Sequence, residues 1–115
     1  MILENTITLA ELAQIARNIY GDMVKAVADV DNNIMAIDSE LHSDLEKELL
    51  ERGSRQESLW GFNLYPDLED EDFIEYDSLI NIRPRQNNRS RDVENQEIRE
   101  KIVSVVDSFI IKDHS

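Results

Sequence analysis

The chain has no cysteine, which excludes disulfides, thiolate metal sites and thiol nucleophiles. It has two prolines and three glycines in 115 residues, so regular structure should be abundant. None of the glycines falls in a phosphate-cradling pattern, and no cofactor is expected. No apolar run approaches the roughly 20 residues that a membrane span requires, so no membrane association is expected. Basic residues are scarce: 12 Lys plus Arg stand against 25 Asp plus Glu, a formal charge of −13. A general nucleic-acid binder needs a basic face to displace counterions, and this chain does not offer one. Residues 1–5 lack the basic and apolar regions of an export signal, which makes the cytoplasm the expected compartment.

What is present suits one globular domain. Apolar residues make up 41% of the chain, enough for a core, and residues 1–115 are expected to form a single unit with a frayed end that includes His114. Residues 2–7 read as a short first strand. Thr8 and Glu11 then have the spacing of a capping box, with Ile7 and Leu12 placed as a hydrophobic staple. Leu9, Leu12, Ile15, Ala16 and Ile19 share one helical face, and Gly21 ends it. Two apolar runs, 23–30 and 34–37, flank an Asn-rich turn and predict a central hairpin.

Ser43 and Glu46 form a second capping-box pattern ahead of Leu45, Leu49 and Leu50, although the helix could begin earlier, at Asp38 or Ser39. Gly53 closes it. Residues 60–65 alternate as a strand ended by Pro66, residues 67–72 form an acidic loop, and residues 73–83 alternate again up to Pro84. A polar loop over 84–91 leads to a last helix carrying Ile98, Ile102, Val105, Val106, Phe109 and Ile110 on one face. The expected fold class is α+β: a mostly antiparallel sheet of four or five strands, built from two hairpins, with three helices mainly on one face.

Two places could carry chemistry. In an extended segment, Glu40, His42 and Asp44 would point the same way, a set able to hold a divalent metal or perform general acid–base work. In a helical segment that convergence is lost, and the carboxylates simply complement a helix N-terminus. The second place is 83–91, where four of the twelve basic residues gather without an acid. Arg83, Arg85 and Arg89, with Asn81 and Asn88, are the candidate ligands for an anion, since guanidinium forks match carboxylate and phosphate. The plainer alternative is that these arginines neutralise the chain's own acidic run over 67–77. The run itself lacks the spacing of a calcium loop.

Several strings are distinctive: residues 24–30, 40–44 with Glu46, 53–56, Trp60-Gly61-Phe62-Asn63-Leu64-Tyr65-Pro66, Asn81-Ile82-Arg83-Pro84 and Asn88-Arg89-Ser90. On these the chain resembles a small prokaryotic family, the domain of unknown function 5674, over nearly its whole length. The resemblance implies a stand-alone prokaryotic protein and brings no assigned activity, cofactor or catalytic residue. The family commonly carries a Gly pair where this chain has Asp38-Ser39, so the turn before Glu40 is expected to be less tight. The reading preferred here is a small binding or regulatory module, homodimeric, that recognises an anionic ligand or a protein partner through the 83–91 loop. The alternative is a hydrolytic or metal-assisted enzyme centred on His42 with Glu40 and Asp44.

Overall fold

The computed structural model describes residues 1–112. The expected fraying around His114 lies outside them. Strand β1 (Ile7–Thr8) runs directly into helix α1 (Leu9–Ile19). The predicted capping box closes this junction. The Glu11 N–H donates to Thr8 Oγ1 at 3.1 Å, and the Thr8 N–H donates to the Glu11 carboxylate at 3.2 Å. Ile7 packs against the core cluster that contains Leu12 and Ala16, as a staple should. Gly21 follows with φ +94°, a left-handed stop.

The predicted hairpin is β2 (Val24–Asp29) and β3 (Ile34–Ile37), turned through Asn33 at φ 56°. The buried Asp29 carboxylate fastens the turn. It accepts from the backbone N–H of Asp31 and Asn32, from Asn32 Nδ2 at 2.9 Å and from Ser54 Oγ at 2.6 Å. Burial pushes this carboxyl up, but the hydrogen bonds from Asn32, Ser54 and Asp31 outweigh it and hold the group below its ordinary range. Helix α2 (His42–Glu51), strand β4 (Leu59–Leu64), strand β5 (Ile74–Glu75), helix α3 (Gln96–Phe109) and strand β6 (Ile110–Ile111) complete the chain.

The α+β architecture is as expected. Two hairpins, β2–β3 and β4–β5, form one antiparallel sheet in the order β3-β2-β4-β5, so β2 is interior. Residues 1–3 lie along the outer side of β3 through an Ile2–Ala36 bridge. A separate parallel pairing joins β1 to β6. Alternation divides the side chains of the four-stranded sheet between two cores. Ala26, Ala28, Met35, Trp60 and Phe62 face α1 and α3, while Val27, Ala36 and Leu59 face Leu45 and Leu49 of α2.

Four local expectations are corrected. The strand predicted over 73–83 is only two residues long, because Ser78 caps a 3₁₀ turn at Leu79–Asn81 and a second such turn spans Pro84–Gln86. Its apolar alternation has another cause: Ile80 tucks beneath α2 while Leu79 faces solvent. The second helix begins at His42 with Leu41 as N-cap, so the Ser43–Glu46 box does not form. The first strand is split between the Ile2 bridge and β1. Finally, Ile110 leaves the helix to enter β6.

Candidate functional site

The 83–91 loop is stitched to the sheet by the residues that had suggested anion binding. Asn81 sits beside Gly61 in β4. The Gly61 N–H donates to Asn81 Oδ1 at 2.8 Å, and Asn81 Nδ2 donates back to the Gly61 carbonyl at 2.9 Å and to the Arg91 carbonyl at 3.0 Å. One side-chain amide thus takes the place of a neighbouring strand. Gly61 is required here. A Cβ at this position would come within 2.6 Å of Ser78 Oγ and 2.7 Å of Ser78 Cβ.

Asn88 is equally committed. Its Nδ2 donates to the carbonyls of Asn81, Ser90 and Asp92, and its Oδ1 accepts from the Glu94 N–H. Arg83 lies with its guanidinium 4.3 Å from the Trp60 ring centroid. Its Nε donates to the Ile80 carbonyl at 3.0 Å, one Nη to the Gln56 carbonyl at 2.6 Å, and the other Nη to the Leu59 carbonyl. Burial pushes this guanidinium below its usual range, against the nearby charge of Glu46. Arg85 and Arg89 are exposed and form no ion pair among the described residues. Arg91 meets the acidic run, with Nε donating to Asp77 Oδ1 at 2.5 Å. Self-neutralisation therefore accounts for one of the four arginines.

The second candidate set does not converge. His42 is buried at the start of α2, and its Nε2–H donates to the Phe62 carbonyl at 2.9 Å. That acceptor fixes the tautomer. Burial pushes the imidazole below its ordinary value, and the charge of Lys25 adds to this; the hydrogen bond to Phe62 opposes it. Glu40 and Asp44 are exposed, and Asp44 accepts from Ser39 Oγ at 3.2 Å. No group of three His, Asp or Glu side chains suited to a metal occurs among the described residues.

A different set does come together. A cleft of about 150 Å³ opens at the N-terminus of α2, lined by Lys25, His42, Ser43, Ser78 and Arg91. Leu41 and Leu79, both strongly exposed, form its lips. Lys25 reaches it from the α2 face of β2, next to Asn63 on β4. Its ammonium lies 5.3 Å from the Tyr20 ring centroid and has no carboxylate partner among the described residues. The side-chain oxygen of buried Asn63 is also unpartnered, and the Asn63 side chain lies against His42. Sequence reasoning chose His42 but missed Lys25, Ser43, Ser78 and Arg91 as its companions. The available signal was a lone cation, Lys25, inside the apolar strand Val24-Lys25-Ala26-Val27.

No curated protein and no solved structure matches the chain. A family model matches residues 1–109, and by that match the chain belongs to the family described as proteins of unknown function, DUF5674.

Proposed function

We propose that the chain is a binding module rather than an enzyme, and that it holds an anionic group in the cleft between Lys25 and Arg91. The observation that carries this reading is the set of cleft donors. Lys25, with no acid of its own there, stands beside two hydroxyls, a helix N-terminus and Arg91, whose Nε already donates to Asp77. A volume of about 150 Å³ is small beside the roughly 300–1,000 Å³ of ordinary ligand pockets, which suits a headgroup better than a whole metabolite. The apolar lips Leu41 and Leu79 would receive an aliphatic body attached to a carboxylate or phosphate. The dimer expected from the sequence would instead cover these leucines with a second copy, which light scattering would detect. Catalysis has little to work with. The His42 Nε2–H is spent on a backbone carbonyl, and neither Glu40 nor Asp44 lines the cleft.

The test is thermal denaturation with inorganic phosphate and with hexanoate. A ligand bound only by the folded state raises the melting temperature by mass action. At least one of the two should stabilise the wild type and the Arg85→Ala variant, and neither should stabilise Lys25→Ala. If Arg85→Ala or Arg89→Ala abolished the shift while Lys25→Ala kept it, the site would be the 83–91 loop. If neither anion shifted the wild type, this reading would fail.

A further inference from the structure

The opposite side of the sheet carries a larger feature that the cleft does not use. A groove of about 900 Å³ runs between β5 and one stripe of α3. Ile74, Tyr76 and Val103 form its floor, while Asp70, Glu71, Asp72 and Glu100 form its rim. Arg99 also reaches the groove, but it is committed: its guanidinium stands 4.5 Å from the Tyr76 ring centroid and donates to Asp92 at 2.6 Å. The rim is therefore left strongly negative.

The groove follows an open strand edge. Glu75 pairs with Asn63 of β4, and the Phe73 carbonyl accepts from the Tyr65 N–H. Glu75 and the Phe73 carbonyl thus face β4, while the Phe73 N–H turns back to the Asp70 carbonyl. By alternation, Ile74 and Tyr76 turn theirs away from it. The Tyr76 N–H and carbonyl make no hydrogen bond among the described residues. Unpaired backbone groups beside an apolar floor form a template for one more strand.

We infer that this edge docks an extended, basic segment of a partner protein, which adds as a strand beside Ile74 and Tyr76. Backbone bonds to those two residues set the register. Alternate apolar side chains enter the groove floor, and the Lys or Arg side chains between them meet Asp70–Asp72 and Glu100. The same rim disfavours a second copy of this chain, because two such edges would bring their carboxylates face to face in a protein of charge −13.

The experiment uses a labelled peptide, Lys-Val-Lys-Val-Lys-Val-Lys, with the full-length chain. Fluorescence anisotropy gives affinity, and NMR hydrogen exchange gives the position. The expected result is saturable binding that protects the Ile74 and Tyr76 amides and weakens about tenfold in Glu100→Lys, which corresponds to 1.4 kcal/mol. Glu51→Lys, on α2, changes the net charge equally and should leave affinity within about twofold, as expected if local charge decides. The proposal is overturned by no binding at millimolar peptide, by equal losses in both variants, or by binding that leaves the Ile74 and Tyr76 amides unprotected.

Discussion

Replacing Asn81 with Asp changes one nitrogen to oxygen and nothing in shape, yet it should unlock the 78–91 segment. Asn81 Oδ1 accepts from the Gly61 N–H, a bond that a carboxylate keeps. Asn81 Nδ2 serves the Gly61 and Arg91 carbonyls, and in Asn81→Asp a second acceptor would face them instead. The Arg91 carbonyl keeps its bond from the Ser78 N–H, so the Gly61 carbonyl is the one left without a donor, at a cost of about 1–3 kcal/mol. The site is fully buried, so the ionised form also carries a desolvation cost. The total at neutral pH is on the order of 4 kcal/mol, a large share of the roughly 5–15 kcal/mol by which such domains are stable. For a urea m-value of about 2 kcal/mol/M, the midpoint would fall by about 2 M. The sign of the pH dependence follows from the carboxyl. Its affinity for protons would be raised in the folded variant, so folded protein binds the extra proton first. The gap between wild type and Asn81→Asp should be widest at neutral pH. It should narrow as pH falls through the raised value, because the protonated acid can donate to one of the two carbonyls. Urea unfolding of both proteins from pH 7.5 to 4.5 makes the comparison. A loss below about 1 kcal/mol, or one that did not change with pH, would refute the idea that this amide substitutes for a strand.

Gly61→Ala should cost about 1–3 kcal/mol by overpacking against Ser78, and Ser78→Gly in the same chain should recover part of it; an additive double mutant would show that the two positions are not in contact. Asp38 holds φ 72°, so Asp38→Gly should stabilise by up to about 1 kcal/mol in chemical denaturation, and a clear loss would mean that the Asp side chain compensates its backbone. His42 has its folded-state proton affinity lowered, mainly by burial. Its contribution to stability is therefore complete above the ordinary imidazole value of 6.5 and is lost as pH falls through the lower folded value. The wild type should lose more stability than His42→Gln over that interval, and parallel curves would show that the imidazole titrates normally.

The sequence was most legible where local chemistry and burial agree. The box at Thr8 and Glu11, the left-handed glycines 21 and 53 and the turn at Asn33 each follow from a few neighbouring residues, and all are present. The reading failed where the same pattern served another purpose. Ser43 and Glu46 have capping-box spacing, but the helix starts with Leu41 as N-cap, two residues before Ser43, and His42 in its first turn bonds to Phe62, so the box does not form. The alternation over 73–83 reflects Ile80 and Ser78 pressing on the sheet from outside, not membership in it. The cleft was legible only at His42 because Lys25, Ser78 and Arg91 are brought together by strand pairing and by Asn81, which no local spacing encodes. The pairing of β1 with β6 left no periodic trace, since two residues at each end are too few to carry one.

That short pairing has a consequence for biosynthesis. Ile7 and Thr8 emerge from the ribosome early, and their partners Ile110 and Ile111 follow about a hundred residues later. At about 5–20 residues per second, β1 waits roughly 5–20 s without its strand neighbour. During translation the β2–β3–β4 sheet and α2 can assemble, while the face awaiting α3 stays uncovered. The final clasp therefore acts as a timing element: the domain closes only when its last strand arrives, and a nascent chain halted before Ile110 would present an open apolar face to chaperones.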